Sequence, residues 1–369
     1  MSGAAAEHEE KLARLVRVAH ASGVDGVLLA AHHNIAWLTS GRHNRVDSSR
    51  EAGSARLLLT GDGRRYVLAN AIEMPRMLDE VLAGLDYQPI EYPWVDDQDP
   101  AHAVRAARGV LSPAATLGAD WPLPETRGIE PLLGRARARL TDGEIVRYRS
   151  LGHDAGLALG HVCRSLTPGD LEIDVAQAMA GAAADVRARA VVALVGADDR
   201  LRRYRHPVPT STPWKHVVML ALCAERDGII VSLSRVVAAG AAADLEIRTA
   251  AAASVFGRIL AATRPGAAAP QLYDTLVRAY ADAGFPGEEL KHHQGGAIGY
   301  RAREWVAHPR SQEVVEDRQA FAWNPTVTGT KVEDTALVIG DGVELITSTP
   351  DWPTIDMGDG LRAAGVWKL

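Results

Sequence analysis

Two short stretches, Leu166-Thr167-Pro168-Gly169-Asp170 and Thr263-Arg264-Pro265-Gly266-Ala267, decide how this 369-residue chain is read. Each lies between two helical patterns. Proline cannot continue a helix, and glycine accepts the positive φ with which a turn leaves one. Each helical pair then leads into strand-like segments: Val217–Cys223 and Ile229–Val236 after the first, Phe321–Thr328 and Val332–Ile339 after the second. Two copies of a helix pair plus hairpin are too long a period for a solenoid. They make one pseudo-symmetric domain with the chemistry between its halves.

Working outward, the amino-terminal part has a different layout. Residues 7–23 place Leu12, Leu15, Val16 and Ala19 at helical spacing. A buried strand ending at Ala31 follows, then Ser54–Thr60, with Gly61-Asp62-Gly63 turning into Tyr66-Val67-Leu68-Ala69. Strands and helices alternate on to Leu117-Gly118-Ala119-Asp120. Thr141-Asp142-Gly143-Glu144 opens a long linking helix, because its first turn is acidic. The expected division is an α/β domain over 1–140 and a duplicated α+β domain over 141–369.

Composition excludes several classes. Hydrophobic residues make 47% of the chain and charged residues 23%, ordinary for a globular protein. A net charge of −6 offers no basic field to nucleic acid or an anionic membrane. No apolar run approaches the ~20 residues that a membrane-spanning helix needs. Cys163 and Cys223 are the only cysteines, too few for a disulfide framework or a cysteine zinc site. The acidic start, Met-Ser-Gly-Ala-Ala-Ala-Glu-His-Glu-Glu, has no signal pattern, so a cytoplasmic location is expected.

Chemistry concentrates in three segments. His292-His293-Gln294-Gly295-Gly296-Ala297-Ile298-Gly299-Tyr300-Arg301-Ala302-Arg303-Glu304 packs imidazoles, a phenol, guanidinium groups and a carboxylate around a Gly-Gly pair. Its bland alternative is a charged surface turn. Tyr204-Arg205-His206-Pro207-Val208-Pro209-Thr210 holds a histidine in a loop stiffened by two prolines, and an imidazole pKa near ~6.5 suits proton transfer. Lys331-Val332-Glu333-Asp334-Thr335 leads charged groups into the apolar strand Ala336–Ile339, although such acids are often merely solvated.

With these residues in view, the whole chain resembles the pita-bread family of aminopeptidase P, prolidase, methionine aminopeptidase and creatinase. Asn34-Ile35-Ala36-Trp37-Leu38-Thr39-Ser40-Gly41 resembles the family's amino-terminal signature, and Gly329-Thr330-Lys331-Val332-Glu333-Asp334-Thr335 its closing motif. The resemblance implies a creatinase-like amino-terminal domain and a pita-bread catalytic domain. The family's peptidases hold two metal ions with two aspartates, a histidine and two glutamates. Laid on this chain, the aspartates fall at Ala221 and Ser232, the histidine at His293, and the glutamates at Asn324 and Glu333. Three of the five ligands are therefore missing, since alanine cannot ligate and a neutral hydroxyl or amide is a poor donor to hard or borderline cations.

Creatinase departs from the family in the same way, being metal-free and cleaving a C–N bond of a guanidino compound. The His206 loop and the Arg303-Glu304 pair resemble its own, whereas Ser234 replaces its catalytic glutamate. The resemblance therefore implies a metal-independent hydrolase or lyase acting on a small polar substrate, with no cofactor. His206 would be the general acid/base, with His293 and Glu333 orienting or polarising water. Tyr300, Arg303 and Glu304 would bind substrate. A homodimer is expected, in which Arg42 or Arg45, on the loop after a strand through Trp37, reaches the partner's site. Two alternatives stay open: a non-catalytic binding or scaffold protein, and a peptidase with a rearranged or single metal site.

Overall fold

The computed structural model describes residues 3–358 and 360–369. It divides into two compact units, Met1–Gly143 with Asp227–Ile229, and Glu144–Arg226 with Ile230–Leu369.

The first unit runs α1 (Gly3–Ser22), β1 (Gly26–Ala31), α2 (His32–Leu38), β2 (Ala52–Thr60), β3 (Arg65–Asn70), a short α3 (Met74–Arg76) and β4 (Gln88–Tyr92). It continues through α4 (His102–Val110), β5 (Leu117–Ala119), β6 (Thr126–Gly128) and α5 (Glu130–Ala138). The strands form one mixed sheet in the order β4-β3-β2-β1-β5-β6. All six residues of β1 are buried, as a strand covered on both faces requires. The segment expected as a strand through Trp37 is instead helix α2. Its last carbonyls are satisfied by side chains of α1: Lys11 Nζ donates to Trp37 O at 2.8 Å, and a ring nitrogen of His8 bonds Leu38 O at 2.7 Å. A cation at a helix C-terminus is electrostatically favourable. Here that ammonium is fully buried and paired with Glu7 at 2.6 Å.

The second unit begins with α6 (Asp142–Ser165), α7 (Glu172–Asp185), β7 (Arg189–Ala197), the short α8 (Asp199–Arg203), β8 (Val217–Arg226) and β9 (Ile229–Ala238). Its second half repeats the layout with α9 (Ala243–Ala262), α10 (Ala269–Asp282), β10 (Gly295–Ile298), β11 (Trp305–Val306), β12 (Gln319–Trp323), β13 (Thr326–Val327), β14 (Thr330–Lys331), β15 (Asp334–Ile339) and β16 (Gly342–Leu345). Strands β17 (Thr354–Gly358), β18 (Leu361–Ala364) and β19 (Val366–Lys368) close the chain. Gly169 and Gly266 both take positive φ, +109° and +89°, as the two Pro-Gly turns demand. The β8–β9 turn, Asp227-Gly228, has positive φ at both residues, the geometry that matches strand twist in a two-residue hairpin.

The duplicated layout builds two sheets, β19-β9-β8-β7 and β11-β10-β12-β15-β16. Phe256, Ile259, Leu272, Leu276 and Tyr280 of α9 and α10 form one core with Phe321, Trp323 and Val338. The segment expected as a continuous strand over Phe321–Thr328 breaks at Asn324-Pro325, since Pro325 has no N–H for the ladder. That break releases Asn324 and the β13–β14 hairpin toward the site.

Helix α6 approaches the chain after β16 through a stripe of small residues. Cβ atoms at Gly152 and Gly156 would overlap the carbonyl oxygens of Ile346 and Ser348. Gly156→Ala should therefore destabilise the protein by about 1–3 kcal/mol, because backbone cannot yield as a side chain does. The exposed Gly181 of α7, whose Cβ would meet open space, supplies the control. Gly181→Ala should raise stability by about 0.5–1 kcal/mol in the same denaturant titration.

Candidate active site

The site is a cavity of about 310 Å³ in the second unit. Val192 and Leu194 of β7, Ala221, Leu222 and Cys223 of β8, and Ala302 line it with His206, His293, Arg303, Asn324, Lys331 and Glu333.

His206 is positioned by its loop. The ring of the buried Pro207 fills the space that a Cβ at Gly196 would occupy. The buried Glu172 carboxylate, at the start of α7, accepts from Ala197 N (2.9 Å), Arg200 Nε (2.9 Å), Thr210 N (3.0 Å) and Thr210 Oγ1 (2.8 Å), tying both ends of the loop together. Glu288 joins this loop to the one bearing the other histidines. It accepts from Arg205 Nη2 at 2.8 Å, Lys291 Nζ at 2.9 Å and Thr328 Oγ1 at 2.8 Å. Burial pushes the Glu288 carboxyl up, and these donors more than reverse it, holding it below the usual range.

Three imidazoles meet at that junction. His206 and His292 share a hydrogen bond between Nε2 atoms 2.9 Å apart, one nitrogen donating and the other accepting. His293 stacks on His292 with centroids 4.4 Å apart. One nitrogen from each of the three lies within 4.8 Å of the others. Burial, then the charge of Lys331, pushes His292 down to about 2. Burial and Arg303 push His293 down to about 4, and burial with Lys331 lowers His206. All three rings are thus biased toward the neutral form.

Glu333 is the cavity's carboxylate. Its Oε1 lies 3.3 Å from Arg303 Nη2 and its Oε2 3.7 Å from Lys331 Nζ. Cys223 bonds Ser232 Oγ at 3.0 Å, and burial and then Glu333 raise its thiol pKa, so it is not a thiolate nucleophile.

The residues do not fit a pair of metal ions. Ala221 has no donor, and the fully buried Ser232 spends its hydroxyl on Cys223. Asn324 aims a buried Oδ1 without a hydrogen-bond partner, but an amide brings no charge. The remaining carboxylate already faces two cations. Two divalent ions need several anionic ligands, and this cavity offers one.

The structure brings His206, His293, Arg303 and Glu333 together on one cavity and places Tyr300 and Glu304 off it. Tyr300 is buried away from the cavity and donates to Glu144 Oε1 at 2.7 Å, so it anchors α6. Glu304 folds back to accept from Tyr300 N at 3.1 Å, fixing the 299–304 turn, and does not line the cavity. Arg42, in the first unit, donates to Val81 O at 3.1 Å and Ala83 O at 2.8 Å, and Arg45 is half-buried on the same loop. His292, Lys331 and Cys223 were missed as site residues. The His292-His293 pair was itself a signal, but only a loop lets adjacent side chains stack on one side.

Comparison with known proteins agrees with this architecture. No curated protein matches the chain by sequence. Among solved structures, dipeptidase PepE from Mycobacterium ulcerans superposes with a TM-score of 0.80 at 17% identity, covering 99% of each chain. The prolidase from Pyrococcus horikoshii OT3 gives 0.75 at 18% identity, covering 92% of this chain and 98% of that one. The N-terminal domain of FACT complex subunit SPT16 from chickpea, Cicer arietinum, gives 0.71 at 11%, covering 93% and 96%. At these identities the likeness is one of fold. The model of metallopeptidase family M24 matches residues 147–344, more than half of the 369-residue chain and both halves of the duplicated unit. The chain belongs to metallopeptidase family M24, with the pita-bread fold.

Proposed function

We propose that this M24 member is a metal-independent hydrolase that cleaves a C–N bond of a small polar substrate bound beside His206. One observation carries the reading. Where the family's peptidases place anionic ligands, Ala221, Ser232 and Asn324 stand, while His206, hydrogen-bonded to His292, lines the same cavity as Glu333.

The neutral His206 accepts the proton of water as that water attacks the carbon of the scissile bond. It returns the proton to the leaving nitrogen as the C–N bond breaks. His292 sets the direction of the His206 ring through the 2.9 Å hydrogen bond. Glu333 and His293 orient the water. Acid–base catalysis supplies about 10²–10⁴-fold, and positioning and electrostatics supply the rest.

A second reading has its own support. Three neutral imidazoles with nitrogens within 4.8 Å of one another offer a ligand set for one zinc-like ion. Lys331 and Arg303 oppose it by repulsion. Elemental analysis of the purified protein separates the two. We expect no stoichiometric zinc, manganese, iron or cobalt and no loss of activity on chelation. One metal per chain with chelator-sensitive turnover would replace the first reading by the second.

Activity is to be sought on guanidino acids, small amides and dipeptides. On whichever is turned over, His206→Ala should lower kcat by about 10²–10⁴-fold with the thermal midpoint nearly unchanged, because a loop histidine contributes chemistry more than core packing. Unchanged kcat would move the acid/base role elsewhere.

The imidazoles carry a pH signature. A lowered histidine pKa means that the unfolded chain binds more protons than the native one below the ordinary value of about 6.5, so stability rises with pH there and falls on acidification. Histidine ring resonances followed by NMR should show His293 titrating only near pH 4 and His292 staying neutral throughout. Either ring titrating near 6.5 would contradict the burial and charge described above.

A further inference from the structure

We infer that Arg235, a buried residue outside the cavity, is a positioning residue for Glu333: together with Asp334 it locks the seam between the two sheets in the register that turns the Glu333 carboxylate into the site. The consequence for turnover rests on the hydrolase reading above; the consequence for the seam does not.

Glu333 sits where the two halves of the duplicated unit meet. β9 of the first half and β15 of the second belong to different sheets. Among the described residues a single antiparallel bridge joins them, Ser234 with Glu333, in which Ser234 N donates to Glu333 O at 3.0 Å. Side chains of an extended segment alternate between its faces, so a slip of one residue here would exchange Glu333 for a neighbour on the cavity side. One backbone bridge is a weak guard against such a slip.

Side chains supply the missing specification. Arg235, next to Ser234, is 1% exposed and has a partner for each of its five N–H groups. Nε donates to Thr349 Oγ1 at 2.8 Å, and Nη1 to Ser234 O at 2.7 Å and Glu333 O at 3.5 Å. Nη2 donates to Asp334 Oδ1 at 2.9 Å and Thr347 O at 2.8 Å. One guanidinium thus grips the main chain of residue 333 and the side chain of residue 334. Thr347 Oγ1 donates to the same Asp334 oxygen at 2.8 Å and accepts from Thr335 N at 2.9 Å. Thr335 Oγ1 in turn accepts from Ser232 N at 2.7 Å and donates to Ser232 O at 2.9 Å. Glu333 lines the cavity, and neither Arg235 nor Asp334 does. Desolvation offsets most of the attraction in a buried ion pair, and the best-attested use of one is to fix register. Lysine carries its donors on one nitrogen and cannot reach acceptors on both sides as this fork does.

Arg235→Lys in the full chain tests this first without any turnover. Amide hydrogen exchange followed by NMR should quicken at Ser232 and Ser234 at least about tenfold more than at the α9 core amides of Phe256 and Leu260. The crystal structure of the variant should show Glu333 Oε1 displaced from its 3.3 Å contact with Arg303. Exchange that quickens equally at all four amides, or Glu333 unmoved, would overturn the inference, because a merely structural role loosens the whole unit alike. Should Arg235→Lys not fold, Thr347→Val removes only the second donor to Asp334, and the same excess at the seam should be at least about threefold. On any substrate that is turned over, Arg235→Lys should lower kcat by about 10²-fold, the scale of a misplaced catalytic group, with KM changed less. Combined with Glu333→Gln it should lose no more than Glu333→Gln alone, since both act through one carboxylate, and additive losses would overturn the positioning role. Absence of turnover on every substrate would count against the hydrolase reading and leave exchange and structure to decide the seam.

Discussion

Glu333 faces Arg303 on one side and Lys331 on the other, at 3.3 and 3.7 Å, inside a cavity with no other carboxylate on its walls. Much of the site's chemistry follows from this arrangement. Two cations close to the imidazoles add to burial in keeping the rings neutral, so the histidines are available as bases at neutral pH. The Glu333 charge adds to burial in keeping Cys223 a thiol. Both cations would also repel any metal ion drawn to the histidines.

The site is held by carboxylates that lie outside it. Glu172 closes the His206 loop from below, and Glu288 ties that loop to the segment leading to His292 and His293. Each satisfies several donors with a single buried group, which fixes geometry more tightly than separate surface pairs would. Pro207 against Gly196 adds a packing constraint. These supports explain how loop histidines, ordinarily mobile, can be held at hydrogen-bonding distance.

Membership of family M24 and the neutral side chains at Ala221, Ser232 and Asn324 are compatible because they rest on different features of the chain. The family's architecture depends on the two Pro-Gly turns, the helix pairs, the hairpins and the close approach of α6 at Gly152 and Gly156. Those features do not require a particular charge at positions 221, 232 or 324. Fold and activity can therefore diverge, and activity has to be argued from the site.

The sequence by itself determined the architecture, because the features that specify it are local and periodic. Helical spacing, the Pro-Gly turns and the Asp227-Gly228 turn all act over a few residues. The family resemblance laid on that sequence also implied which ligand positions lack charge, namely those at Ala221, Ser232 and Asn324. Tertiary structure decided the rest of the site. Tyr300, Glu304, His292 and Lys331 sit in turns or a two-residue strand, where no period says which way a side chain points. Only packing sends Tyr300 to Glu144 and folds Glu304 back on its own turn. Only packing turns Lys331 into the cavity and sets His292 against His206. Helix α2 has the same cause: its carbonyls are satisfied by Lys11 and His8 from α1, 26 and 30 residues away, beyond the reach of any local pattern.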